Sequence, residues 1–215
     1  MKVRAESVDK NSKRKIIIVS LIALITILGG LTYLGHKQEQ QKQIAKEHAL
    51  YKHGFRLLEE QLAIYIKEHY EGVSKIEFSP IYEDGGDGYS MHTLNIVPVI
   101  YDQYGDRAIL GGKIGKVNYK SYGLYGELTL DFNQSIGSEI IELKKIDTGE
   151  VIDVSDNQHL PKEAELDTNS AVDDNVEALV DDGQLKEVKK SDKGSPNAKV
   201  TYNLEIKKGD YTKWR

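Results

Sequence analysis

The sequence predicts an α+β protein in which an N-terminal transmembrane helix precedes an amphipathic helix packed on an antiparallel β-sheet. An uncharged apolar run occupies residues 16–35, and a proline-free segment with a broad apolar stripe follows over residues 37–70. Beyond residue 73 the apolar period changes from about 3.6 to about 2, and turn sequences separate short alternating segments. A helix followed by hairpin-linked strands is the order typical of α+β folds.

The apolar run predicts a single-pass membrane anchor. It reads IIIVSLIALITILGGLTYLG, and about 20 such residues in a helix span a hydrocarbon core of about 30 Å. Residues 1–15 form a basic tail whose last three residues are Lys13, Arg14 and Lys15. The positive-inside rule then places the N-terminus in the cytoplasm and the chain after residue 35 outside the cell membrane. A cleaved signal peptide, with its shorter apolar core, and a buried core helix are the alternatives.

The anchor is followed by a predicted polar stalk, residues 36–43, and an extracytoplasmic domain, residues 44–215. The helix that opens the domain carries a seam of apolar residues every seven positions: Ile44, Tyr51, Leu58 and Tyr65. A companion seam consists of His48, Phe55, Leu62 and His69. Further apolar residues make the stripe wider than a coiled-coil seam, so we expect the helix to cover one face of a sheet. A homodimeric coiled coil through this helix is the alternative.

The rest of the domain is predicted to be mostly strands. Alternating or β-branched segments occupy residues 73–83, 90–101, 107–119, 124–132, 140–146, 151–154, 185–188 and 200–206. Glycine-rich and aspartate-rich turns separate the first of these, beginning with the acidic turn at residues 83–88. Residues 171–182 predict a short helix that ends at Gly183, because Val172, Val176 and Leu179 share one of its faces.

Composition excludes several classes of function. The net charge is −5, whereas a protein that binds nucleic acid needs a clustered positive surface, so we expect no nucleic-acid partner. The chain has no cysteine, which excludes disulfides, thiolate zinc sites, cysteine nucleophiles and lipid anchors on cysteine. Such a composition fits an extracytoplasmic bacterial domain.

The motifs tested predict no metal, no cofactor and no catalytic residue. Residues 111–117, GGKIGKV, are similar to a phosphate-binding loop, but Leu110 and Val117 stand where that motif needs glycine and Ser or Thr. We interpret its glycines as bends within a sheet. The acidic segments 83–88 and 167–182 do not have the spacing of an EF-hand calcium loop. No histidine belongs to an HExxH pattern.

Five tyrosines of the middle strands form the predicted binding surface: Tyr101, Tyr104, Tyr119, Tyr122 and Tyr125. Tyrosine stacks on sugars and is enriched in protein interfaces. It is also a good strand former, so a purely structural use of these residues is the alternative.

The layout of basic tail, apolar run and small cysteine-free domain resembles uncharacterised small single-pass membrane proteins of Gram-positive bacteria. The resemblance implies no activity. We expect a membrane-anchored binding or accessory protein that contacts a protein or a cell-wall polymer without catalysing a reaction. The alternative is an envelope-acting hydrolase that uses carboxylates of the acidic turns as acid and base.

Overall fold

The computed structural model describes residues 3–85, 92–133 and 138–214. The chain divides into two compact units, Met1–Glu47 and His48–Arg215. The second unit begins close to the predicted domain start at residue 44. Part of the acidic turn at residues 83–88, and the first residues of the strand predicted from residue 90, lie outside the described residues.

Helix α1 runs without interruption from Val3 to His69. The predicted transmembrane segment falls mostly on residues 16–32, whose side chains lie outside the described part of the chain. Among the described residues, no helix has the length and hydropathy required to cross a bilayer. All side chains of residues 33–47, which include the predicted stalk, are exposed.

In the second unit, α1 is enclosed on all sides. From Gly54 to Ile66 every residue except Arg56 and Ile64 is buried. The helix packs on antiparallel and mixed sheets, as predicted, but it is also covered on the side where a helix on a sheet face would keep polar residues in solvent. The polar run Glu59, Glu60 and Gln61 is buried as well, and its hydrogen bonds connect α1 to other elements of the unit.

The elements after α1 are, in chain order, β1 (Tyr70–Glu71), β2 (Val73–Phe78), β3 (Ile81–Asp84), β4 (Thr93–Ile96), β5 (Pro98–Asp102), β6 (Arg107–Ile109), β7 (Gly112–Ile114), β8 (Val117–Tyr119), β9 (Tyr122–Gly123), β10 (Leu128–Asn133), β11 (Ser138–Lys144), β12 (Val151–Asp153), α2 (Ser170–Asp181), β13 (Lys189–Lys190), β14 (Lys199–Thr201) and β15 (Ile206–Lys208). Single 3₁₀ turns occur at Lys162–Ala164 and Tyr211–Lys213.

Two four-stranded sheets have the orders β14-β2-β5-β6 and β15-β3-β4-β9, and their inner pairs, β2–β5 and β3–β4, follow one another along one long hairpin. Ser79 and Pro80 separate β2 from β3, and Val97 separates β4 from β5. The two breaks face each other, because the N–H of Val97 donates to Ser79 Oγ at 2.8 Å and the N–H of Ser79 donates to the carbonyl of Val97 at 3.0 Å. The two breaks are therefore hydrogen-bonded to each other across the hairpin.

The antiparallel sheet predicted for the domain is in fact mixed. Strand β14 runs parallel to β2, and β15 runs parallel to β3, while the remaining pairs are antiparallel. The final strand predicted at residues 200–206 is interrupted between β14 and β15, in step with the break in its partner. A third sheet, β10-β11-β12, is antiparallel as its sequence pattern indicates.

The segment that is similar to a phosphate-binding loop forms a small hairpin, β7–β8, as the interpretation of its glycines as bends requires. Gly111, Gly112 and Gly115 all have positive φ, at 86°, 77° and 59°, a conformation that favours glycine. These bends divide the strand predicted at residues 107–119 into β6, β7 and β8. Helix α2 confirms the helix predicted at residues 171–182, with Asn169 as its N-cap. Residues 185–188 do not form the predicted strand.

Candidate functional site

The five predicted tyrosines do not form one surface. Tyr122 is buried, with 1% of its surface exposed, so it cannot contact a partner and its assignment to a binding surface is wrong. Tyr104 and Tyr125 are exposed, whereas Tyr101 and Tyr119 are half-buried. No ring contact joins any two of these five described residues.

A cleft of about 350 Å³ lies instead along β6. Apolar side chains supply much of its lining: Ile96, Val97, Ile109, Leu110, Ile114 and Leu179. Its polar lining includes the cations Arg107 and Lys113 and the aromatic residues Tyr211 and Trp214. A volume of this size and a mixed lining are typical of small ligand sites.

A tight turn after β6 positions Lys113. The N–H of Gly111 donates to Asn175 Oδ1 of α2 at 2.8 Å. A Cβ atom at residue 111 would lie 2.8 Å from the carbonyl oxygen of Lys120, so both the positive φ and the close approach require glycine there. The turn directs the chain into β7, whose central residue is Lys113.

The C-terminal segment brings the aromatic residues to the cleft. Pairing of β15 with β3 delivers the chain to Asp210, whose carboxylate accepts the N–H of Thr212 at 2.8 Å and begins the 3₁₀ turn. The guanidinium carbon of Arg107 lies 5.1 Å from the centroid of the Trp214 ring. A guanidinium over an aromatic face keeps its N–H groups available for a bidentate acceptor.

The charged groups described in the cleft lining are cationic. Neither Arg107 nor Lys113 forms an ion pair with a described residue, and no described carboxylate is part of the lining. Glu77 lies across β5 from Ile109. Its carboxylate forms an ion pair with Lys75 at 2.9 Å and accepts a hydrogen bond from the Tyr101 hydroxyl at 2.6 Å. The cleft therefore offers positive charge to an anionic group.

Two carboxylates of α1 have pKa values displaced in opposite directions. Burial raises the pKa of Glu59 from its ordinary 4.5 to about 9, against a partial offset from the N–H of Asn203. Burial also acts to raise the pKa of Glu60, but hydrogen bonds from His159, the N–H of Leu160 and Arg56 lower it overall. Two neighbouring carboxylates whose pKa values are displaced in opposite directions are typical of acid–base catalysis. Neither residue lines the cleft, however, and both have less than a tenth of their surface exposed.

A third polar cluster connects α1 to α2 through hydrogen bonds. The hydroxyls of Tyr65 and Tyr70 both donate to Asp173 Oδ1, at 2.8 and 2.5 Å. Lys190 forms an ion pair with the other oxygen of Asp173, and the ring of His69 stacks on Tyr65 at a centroid distance of 4.3 Å. Because these contacts use both oxygens of the carboxylate, we assign the cluster a structural role.

The acidic segments carry no assembled metal site in the described part of the chain. No group of three or more His, Asp and Glu side chains is arranged to hold an ion among these residues. Glu83 contacts His92 at 3.2 Å, and Asp84 accepts the N–H of Gly85 at 2.9 Å.

Sequence reasoning missed Arg107, Lys113 and Trp214. The available signals were the single tryptophan of the chain, for Trp214, and the glycine-rich segment 111–117, for Lys113. No known protein family, curated protein or solved structure matches the chain.

Proposed function

We propose that the chain is a single-pass membrane-anchored binding protein whose domain captures an anionic ligand in the β6 cleft outside the cell membrane. The anchor is supported by the uncharged run at residues 16–35 and by the basic tail before it. The capture of an anion is supported by one observation above all: the cleft combines an apolar lining with cations that have no ion-pair partner among the described residues.

The cleft favours binding over hydrolysis. A glycosidase needs two carboxylates on either side of the bond that it cleaves, and none belongs to the described lining. An anionic group in the cleft accepts hydrogen bonds from the guanidinium of Arg107. Apolar groups of the same ligand displace water from the apolar lining. Acidic protein segments and phosphate-containing wall polymers are two classes of anionic ligand that carry the charge the cleft requires.

The single tryptophan provides the test, because Trp214 lines the cleft and is the only indole in the chain. Full-length protein in a non-ionic detergent is titrated with polyglutamate, with poly(glycerol phosphate) and with neutral dextran, while the Trp214 emission is followed. We expect a saturable change with at least one polyanion, weakened by added salt, and none with dextran.

Two lysines of the β7–β8 hairpin form a matched pair of variants. Both are exposed, but only Lys113 lines the cleft, whereas Lys116 does not. Lys113→Gln is expected to weaken polyanion binding about three- to tenfold, and Lys116→Gln to leave it nearly unchanged, since a screened surface charge contributes little. Equal effects of the two substitutions, or no saturable signal with either polyanion, would contradict the proposed function.

A further inference from the structure

We propose that the ligand of the cleft is an extended acidic peptide segment that pairs with the free edge of β6 as an added β-strand. The inference rests on the proposed function and names the ligand class of the same cleft. Peptide addition to a sheet edge combines main-chain hydrogen bonds, which give affinity, with side-chain contacts, which give specificity.

The register of β5 and β6 shows which backbone groups face the cleft. The N–H of Leu110 donates to the carbonyl of Pro98 at 2.9 Å, and the N–H of Asp102 donates to the carbonyl of Asp106 at 3.1 Å. Ala108, opposite Ile100, lies between these two bonded pairs. Because bonded and non-bonded pairs alternate in an antiparallel ladder, Ala108 faces β5 with its N–H and C=O groups. The N–H and C=O groups of Arg107 and Ile109 must then point away from β5.

These outward groups are available for pairing. Strand β6 is at the end of its sheet and pairs only with β5 in the described part of the chain. No backbone hydrogen bond from a described residue outside the β5–β6 ladder reaches Arg107 or Ile109. Both residues line the cleft. An added strand would gain up to four hydrogen bonds there, two donated and two accepted, from groups that have no backbone partner among the described residues.

The opposite edge of the mixed sheet is protected in a way that β6 is not. Strand β14 forms that edge and carries the exposed Lys199, and β15, at the same side of the second four-stranded sheet, carries the exposed Lys207 and Lys208. Lysine on an edge strand is a common device against the pairing of further strands. Strand β6 reads Arg-Ala-Ile, and its one charge lies over Trp214 within the cleft. The charge of Arg107 therefore belongs to the cleft and is placed to contact an incoming acidic segment.

Charge and burial specify the segment. Ala108 and Leu110 are buried, whereas Arg107 is exposed on the opposite face of β6. Side chains of a strand alternate between the two faces, so a segment that alternates apolar and acidic residues directs its carboxylates to the Arg107 face. A phosphate-containing polymer matches the charge of the cleft but has no amide groups for the edge.

Two N-methylated peptides test the inference. The probe is an acetylated and amidated heptapeptide of alternating valine and glutamate, titrated into the full-length protein while Trp214 emission is followed. One isomer carries N-methyl groups on the valine amides, and the other carries the same number on glutamate amides. Only alternate amides of an added strand face its neighbour, so we expect one isomer to lose at least tenfold in affinity and the other to lose less than threefold.

The outcomes separate this inference from the proposed function. If both isomers bind as well as the parent peptide, or lose affinity equally, strand addition is overturned. A second outcome is that poly(glycerol phosphate) binds, and Lys113→Gln weakens this binding as predicted, while the heptapeptide does not bind. The cleft then takes a non-peptide anion, and only the inference fails. If neither probe binds, the inference and the proposed function both fail.

Discussion

At the scale of single residues, adjacent carboxylates of α1 behave differently because their partners differ. Glu59 is fully buried, and its closest hydrogen bond comes from the N–H of Asn203 at 3.2 Å. Glu60 receives Arg56 at 2.8 Å, His159 at 3.0 Å and the N–H of Leu160 at 2.8 Å. Several donors compensate the burial of an ionised carboxylate, whereas a single weak donor does not. Glu59 is therefore neutral at physiological pH, and Glu60 is ionised.

The neutral state of Glu59 predicts how stability depends on pH. Its folded pKa of about 9 exceeds the ordinary 4.5, so between these values the unfolded chain releases a proton that the folded chain retains. The resulting loss of stability with rising pH has a limiting slope of about 1.4 kcal/mol per pH unit. Glu59→Gln removes this slope and is expected to stabilise the domain by about 1 to 3 kcal/mol near neutral pH. Urea unfolding followed by Trp214 emission across this pH range measures it.

The neighbouring residue supplies the control for that measurement. Glu60→Gln removes the charge that pairs with Arg56, so it is expected to destabilise the domain near neutral pH, because hydrogen bonds to charged groups are strong. If Glu59→Gln destabilises the domain at neutral pH by as much as Glu60→Gln does, then Glu59 is ionised in the folded state.

At the scale of elements, helix α1 depends on one glycine to approach the third sheet. A Cβ atom at Gly54 would collide with Leu130 Cδ2 and lie 3.4 Å from Leu128 Cδ1, both on β10. At this point the helix backbone contacts leucine side chains of β10. Glycine is unfavourable within helices, and here the loss of helix propensity is offset by this contact.

The contact predicts the effect of a larger side chain. Gly54→Val is expected to destabilise the domain by about 1 to 3 kcal/mol through overpacking against β10. Gly35, also within α1, has no atom within 4 Å of an added Cβ. Gly35→Val is therefore the matched control and should change domain stability by less than about 0.5 kcal/mol. Thermal unfolding followed by Trp214 emission compares them, and equal stability of the two variants would show that the close packing at residue 54 is not required.

The local sequence pattern predicted the helices and strands better than it predicted which of them pair or pack together. Strands β10 to β12 and helix α2 follow their alternation or apolar face, because each is set by neighbours in sequence. The parallel pairing of β14 and β15 was not predictable in this way, since a pattern of period 2 is the same for either strand direction. The enclosure of α1 was missed because its polar residues at 59–61 imply a solvent-facing side, whereas in the structure their hydrogen-bond partners come from residues 159–164 and 203.

At the scale of the whole molecule, the cleft could be predicted only in part. Lys113 and Arg107 lie in strands that the alternation predicted, but their placement beside Trp214 depends on β15 pairing with β3, a contact between distant segments. The predicted tyrosines are close in sequence, but their burial depends on the tertiary fold, which places Tyr122 in the core and leaves Tyr104 and Tyr125 exposed. The proposed anchor, in contrast, rests on a local property, the hydropathy of residues 16–35.

The central claim is that residues 16–35 hold at the membrane a domain that presents the β6 cleft to the outside. Because the chain has no cysteine, single-cysteine variants report topology without background labelling. Intact cells that produce Ser12→Cys or Lys116→Cys are treated with a membrane-impermeant maleimide, and the membrane fraction is then analysed. We predict that Lys116→Cys is labelled in intact cells and Ser12→Cys only after lysis. Labelling of Lys116→Cys only after lysis, or recovery of both variants in the fraction without membranes, would contradict the account.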